Sequence, residues 1–365
     1  MRKKRYLCPH IMETTAISPK KKTDIRSLSL DALKLALTEM NEKPFRAKQL
    51  YEWLWEKGAH SFDEMTSLSK ELRAKLDENF CINHISLVKE QRSNDGTVKM
   101  GFNLYDGHLI EGVLIPAPWQ ERFTACVSSQ VGCSLSCGFC ATGKLKLQRN
   151  LNPDEIYDQV LLIHRKTLEL YNHPLTNIVY MGMGEPMLNY KNVLQSIERI
   201  TSPTGLGMSP RRITVSTAGI AKMIKKLADD DTKFNLAVSL HAANDAKRNE
   251  IMPINESNNL AVLAEALRYY YAKLERMVTF EYIVFHNFND TPQDARELLA
   301  FCKNVPCKIN LIEYNSVEGV EYTKTTEDRL VAFQAFLEDH GITATLRRSR
   351  GKDIDAACGQ LANKN

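Results

Sequence analysis

CVSSQVGCSLSCGFCATG, residues 126–143, holds Cys133, Cys137 and Cys140 in a C-x3-C-x2-C spacing. Three thiolates this close can converge on one face of a [4Fe–4S] cube, which leaves the fourth iron without a protein ligand and open to a substrate. Zinc also takes closely spaced cysteines, but a structural zinc site wants four ligands, usually as two C-x2-C pairs. This chain has one triplet and no second pair to complete it. A disulfide framework does not suit a chain of 365 residues with nine cysteines and no export signal.

The length allows a barrel and an accessory module. Hydrophobic content of 43% and charged content of 25% are ordinary for a globular protein. No apolar run approaches the ~18–20 residues of a membrane span, and MRKKRYLCPHIMETTA has a basic start without the apolar core of a secretory signal. No membrane association is expected, and the cytoplasm is the default compartment. The net charge is only +4. Basic residues nonetheless cluster before residue 25, at Arg211–Arg212 and at Arg347, Arg348, Arg350 and Lys352, where they could neutralise phosphates or simply be solvated.

Residues 1–27 read as a disordered basic arm, and Met12 is a second possible start. Residues 28–80 have helical periodicity: Ser29 precedes LDALKLALTEM, Pro44 opens the next helix, Gly58 closes it, and two short helices start near Ser61 and Ser67. This module either contacts RNA or caps the barrel. Residues 81–121 change character: NDG (94–96) and YDG (105–107) punctuate three β-rich runs, predicting an antiparallel extension. Glu111 stands inside the last apolar run, either salt-bridged at a strand edge or desolvated and available as a base.

Over residues 122–348 strand-like and helical runs alternate, predicting a parallel sheet and a partial (β/α)6 barrel of α/β class. Residues 349–365 form a C-terminal loop. Polar motifs fall at the C-terminal ends of the strands, where barrels place their sites. They are the cysteine loop, MGMGEP (181–186), VSTAG (215–219), SLHAAND (239–245) and EYN (313–315). Each is weak alone. Together, behind a cluster triplet, they suggest a site for S-adenosylmethionine (SAM), with Gly182 and Gly184 letting backbone approach the ligand and Glu185 accepting from its amino group. Cys358, in DIDAACGQL, is either a small core residue or part of a tight exposed loop, and Cys126 reads as strand filler.

CVSSQVGCSLSCGFCATG, QRNL, MGMGEP, SPRRITVSTAG, SLHA, MPIN and DIDAACGQL together resemble the RlmN/Cfr family of radical-SAM RNA methyltransferases over residues 28–361. MGMGEP with a helical N-terminal module is similar to the RlmN type, which methylates carbon 2 of an adenine in 23S rRNA and in some tRNAs. The Cfr type methylates carbon 8 and usually carries alanine where this chain has Pro186.

The resemblance implies a fold, a radical-SAM barrel, and cofactors, one [4Fe–4S] cluster and SAM. It implies that Cys133, Cys137 and Cys140 bind the cluster, and that Gly184, Glu185, Ser216, Ser239, Leu240, His241 and Asn315 line the SAM site. Cys358 is then the methyl-carrying residue, Cys126 its partner in a transient disulfide, and Glu111 the proton acceptor. The implied partners are 23S rRNA, tRNA and an external one-electron donor such as flavodoxin or ferredoxin. The rival readings are the carbon-8 methylase and, outside enzymes, a zinc-binding RNA-binding protein.

Overall fold

The structure is a computed structural model, and it describes residues 22–363. The chain enters through β1 (Thr23–Asp24) and a turn that buries Arg26. Three helices follow: α1 (Leu30–Glu39), α2 (Arg46–Trp55) and α3 (Lys70–Asn79). β2 (Phe80–Cys81) then pairs in parallel with β1, tying the two ends of the module together. Ser29 caps α1 as its sequence predicts, its hydroxyl accepting from Ala32 N at 3.2 Å.

Two expectations need correction here. The helix expected near Ser61 is only a 3-10 turn, Phe62–Glu64. The next starts at Lys70 because the Ser69 hydroxyl caps it, accepting from Leu72 N, whereas Ser67 Oγ accepts from Trp53 Nε1 at 2.8 Å. The basic arm expected over 1–27 lies mostly outside the described residues, with Cys8 and Met12, but Thr23–Ser27 is ordered. Arg26 forks onto Asp158 through bonds of 2.6 and 2.8 Å and lies over the Trp55 ring at 4.8 Å.

β3 (Ser86–Arg92), β4 (Val98–Asn103) and β5 (Leu109–Ala117) form the antiparallel extension. Gly96 and Gly107 take φ of +85° and +84° in its two turns, a region open to glycine at little steric cost. The extension is continuous with the barrel, because β5 pairs with β6 (Arg122–Cys126). Glu111 therefore does not stand at a strand edge: β5 lies between β4 and β6. It is salt-bridged nonetheless, with Lys99 Nζ 3.4 Å away.

After β6 the cysteine loop is flanked by the short pair β7 (Gln130–Val131) and β8 (Arg149–Asn150). The alternation then runs as predicted. α4 (Pro153–Tyr171), β9 (Asn177–Tyr180), α5 (Tyr190–Thr201), β10 (Ile213–Thr217), α6 (Ala221–Asp229) and β11 (Asn235–Ser239) come first. α7 (Asp245–Ile251), α8 (Leu260–Leu274), β12 (Val278–Val284), α9 (Pro292–Cys302), β13 (Cys307–Glu313), α10 (Glu327–Asp339) and β14 (Ala344–Arg347) complete it. One ten-stranded sheet results, in the order β14-β13-β12-β11-β10-β9-β6-β5-β4-β3, parallel from β14 to β6. This is the partial barrel expected, with β14 as a last strand. α7 escaped the periodicity reading because DAKRNEI offers too few apolar positions.

The sheet is open, and the segment after β14 crosses between its two edges. Gly351 N donates to Asp95 Oδ2 (2.9 Å) and Asn94 N to Asp353 Oδ2 (3.1 Å), both on the β3–β4 turn. Further on, Ala141 N donates to Gly359 O (2.7 Å) and Thr142 Oγ1 to Leu361 O (2.6 Å). Among the described residues no helix is long and apolar enough to cross a membrane.

The Arg26–Asp158 pair docks the helical module on α4, so Arg26→Ala should leave a buried carboxylate without its partner and cost about 3–5 kcal/mol. Urea unfolding measures this; a loss below about 1 kcal/mol would show the pair to be dispensable.

Candidate active site

Backbone hydrogen bonds within the loop and to its surroundings hold Cys133 to Gly143 in place. Cys133 N donates to Leu145 O, Gly138 N to Ile251 O and Cys140 N to Cys137 O. Gly143 packs against the Cys137 backbone, where an added Cβ would lie 2.8 Å from Cys137 O. All three thiols are free and face one cavity of about 210 Å³ enclosed by the barrel. Burial, and then the neighbouring thiols, raise their pKa values, Cys133 to about 11. Phe139 anchors the loop below, its ring edge-on to His241 at 4.9 Å.

The strand ends supply the polar wall. Glu185 is buried, its oxygens accepting from Met187 N (3.1 Å) and Ala218 N (2.8 Å); burial pushes its carboxyl up to about 7 against those bonds. Ser216 and Ser239, on neighbouring strands, bring their hydroxyls within 3.4 Å. His241 Nδ1 accepts from Ile283 N at 3.1 Å, which places its proton on Nε2. Burial, and secondarily Arg248, push its pKa down to about 3, so the ring is neutral. Gly184 lines the cavity at φ +95°, and protein packing adds a second demand for glycine there. The space a Cβ would need is filled by protein: Gln130 Cβ would be 2.5 Å away, and at Gly182 the obstacle is Ser128 Oγ.

Cys126, from the end of β6, and Cys358, from the crossing segment, line the same cavity. Burial, with the Cys358 sulfur beside it, pushes the Cys126 thiol up to about 12. Arg347 stands by both: burial opposes its charge, but Cys358, Glu281 and Cys126 together hold its pKa above the usual range. Both thiols are free.

Three predicted site residues lie outside the cavity wall. Leu240 is core, and its carbonyl accepts from Arg248 Nε at 3.1 Å behind the cavity wall. Asn315 Nδ2 donates to Cys358 O at 3.3 Å and so tethers the crossing segment. Glu111 lies beneath the end of that segment, with Oε2 accepting from Ala362 N (2.9 Å) and Asn363 N (3.2 Å).

Sequence reasoning missed two residues. Arg248 is fully buried and ties Leu240, Ser239 and Ala218 carbonyls behind the site; it sits on α7, which periodicity did not find. Glu281 is a buried carboxylate on the cavity wall, held by Asn310 Nδ2 at 2.8 Å and 3.6 Å from Arg347. A charge amid the apolar run VTFEYIVF was the same signal that singled out Glu111.

Three cysteine thiols on one loop are the donor chemistry that an iron–sulfur cluster takes. Among the described residues no group of three His, Cys, Asp or Glu side chains is close enough to hold one metal. Three half-buried, free thiols share one cavity wall with the strand-end polar groups, and cluster binding would draw off their protons.

Comparison with known proteins agrees. Residues 23–82 match the family model "Ribosomal RNA large subunit methyltransferase N-terminal domain", and residues 127–302 match the radical SAM superfamily. A Cytophaga hutchinsonii protein named "Probable dual-specificity RNA methyltransferase RlmN" is 58% identical, covering 98% of this chain and 97% of its own. A Christiangramia forsetii protein of the same name is 56% identical over 94% of this chain and 97% of its own. The crystal structure of a radical SAM methyltransferase from Sphaerobacter thermophilus superposes with a TM-score of 0.88 at 38% identity, covering 94% of this chain and all of that one. This chain therefore belongs to the RlmN family of radical SAM methyltransferases, enzymes whose cofactors are a [4Fe–4S] cluster and SAM.

Proposed function

We propose that this enzyme methylates carbon 2 of an adenine in 23S rRNA and in tRNA, with Cys358 carrying the methyl carbon. The observation that carries this reading is the meeting of Cys126 and Cys358 on the cavity that also gathers Cys133, Cys137 and Cys140. In this reading the triplet holds the cluster. Gly184, Glu185, Ser216, Ser239 and His241 surround SAM, Leu240 acting through its backbone and Asn315 through its hold on Cys358. When bound, the two cofactors supply a 5′-deoxyadenosyl radical able to take hydrogen from carbon.

An aromatic C–H carbon is a poor nucleophile toward a sulfonium methyl, so the carbon needs a carrier. Cys358 Sγ accepts it from a first SAM and presents it to adenine C2. Once that carbon has lost a hydrogen atom to the 5′-deoxyadenosyl radical and bonded to C2, the ring would regain aromaticity by giving its C2 proton to Glu111 and one electron to the bound cluster. Glu111 Oε2 now holds two amides of the crossing segment, so Ala362 and Asn363 must shift for it to reach substrate. Cys126 Sγ then attacks Cys358 Sγ, forming a disulfide and breaking the bond to the product carbon, which takes up a proton. Arg347 beside both sulfurs favours the attacking thiolate against its burial.

The helical module serves RNA contact, and the segment from residue 349 onward serves as the methyl-carrying loop. An external one-electron donor of the flavodoxin or ferredoxin kind and a cytoplasmic setting complete the reading.

The two cysteine variants should fail differently. Cys358→Ala should take no methyl group and form no RNA adduct. Cys126→Ala should stall as a protein–RNA crosslink through one methylene carbon, seen as a nuclease-sensitive shifted band in anaerobic reactions with SAM and reductant. Normal turnover by Cys126→Ala, or a crosslink from Cys358→Ala, would overturn the assignment. Glu111→Gln should still methylate Cys358 but lower RNA product by about 10²-fold or more. Turnover near wild type across pH 6–9 would leave Glu111 only its contacts with Lys99 and the crossing segment.

A further inference from the structure

The turn joining β5 to β6 carries Trp119 within a 3-10 turn, Pro118–Gln120, with 66% of its surface exposed. Single exposed apolar residues are common and need no explanation. This one differs in what backs it. The Arg350 guanidinium lies over its ring, Cζ 4.6 Å from the centroid, and Arg350 also lines the cavity that holds Cys358. The contact joins two segments far apart in sequence. The comparable pair Phe45 and Arg46 joins only chain neighbours.

Arg350 is held from behind, its Nη1 donating to Asp95 O at 3.4 Å. The indole is thus stiffened on one face and left to solvent elsewhere. Cations crowd the same region. Arg122, two residues beyond the turn, has its pKa lowered by burial and then by Arg347 and Arg212. Among the described residues Arg122, Arg211 and Arg212, each partly open to solvent, form no ion pair with a carboxylate. The carboxylate nearest in the chain, Glu121, follows Trp119 by two residues.

We propose that Trp119, backed by Arg350, is a stacking platform for one unpaired nucleobase of the substrate RNA flanking the target adenine. Arg122 and Arg212 then receive the adjoining phosphates. This rests on the reading of the cavity as an RNA methylation site and adds a subsite to it. An aromatic face stacks any base, while cations collect the backbone. Continuity with the cavity decides the occupant: a strand that delivers a base past Arg350 must lay its neighbour across Trp119.

The test uses the full-length reconstituted enzyme and a stem-loop RNA containing the target adenine. Affinity is measured for RNAs in which each flanking nucleotide in turn is abasic. For wild type, one abasic position should weaken binding about 10-fold. Trp119→Ala should bind the intact RNA about 10-fold more weakly and be indifferent to that same position, so the two losses do not add. Trp119→Phe should recover most of the affinity, and Trp119→Leu should not. Wild-type affinity in Trp119→Ala, or losses that add at every abasic position, would overturn the subsite. So would a lowered melting temperature with unchanged RNA affinity, which makes the pair a brace for the crossing segment. None of these outcomes bears on which carbon is methylated; failure of wild type to methylate RNA at all would instead remove the functional reading beneath.

Discussion

The site depends on one constraint: sulfurs from opposite ends of the barrel sheet must meet in a single buried space. Cys126 ends β6, the first parallel strand, and Cys358 follows β14, the last. Pairing within the sheet cannot bring them together, since five strands separate β14 from β6 in its order. The sheet must curl, and the chain beyond β14 must turn back across the opening. The bonds from Asp95, Asn94, Ala141, Thr142 and Asn315 to that segment impose its path. Cys358 is thereby held by contacts on both sides of the seam, none of them covalent, which suits a residue whose load changes during turnover.

Enclosure sets the electrostatics. Burial drives the thiols of Cys126, Cys133, Cys137 and Cys140, and Glu185 and His241 with them, toward their neutral forms. In such a space each fixed charge weighs more than it would in water. Arg347 is the cation placed at the two thiols, and Glu281 is the carboxylate that partners it. The outer cations near Trp119 face solvent instead, where they can meet phosphates without entering the cavity.

Much of this was legible in sequence. Apolar runs and Asn-Asp-Gly or Tyr-Asp-Gly turns marked the strands, because β4, β5 and β6 are buried almost end to end and so read as nearly continuous apolar stretches. The triplet and the strand-end motifs located the cavity. What stayed hidden depends on tertiary context. Arg248 looks like a solvated charge in DAKRNEI, yet it is fully buried among carbonyls. At Gly184 the close packing of Gln130, which also excludes a Cβ, is something no local pattern reveals. Glu111 sat correctly in an apolar strand, but its cover by Ala362 and Asn363 comes from the far end of the chain. Trp119 reads as an ordinary turn residue until Arg350 is found against it.

The central claim is that these residues deliver one carbon to carbon 2 of an adenine. The direct measurement is to digest RNA methylated by the reconstituted enzyme and identify the modified nucleoside by mass spectrometry and NMR. The account predicts 2-methyladenosine. Finding 8-methyladenosine, or a methyl group on a nitrogen or a ribose oxygen, would contradict it.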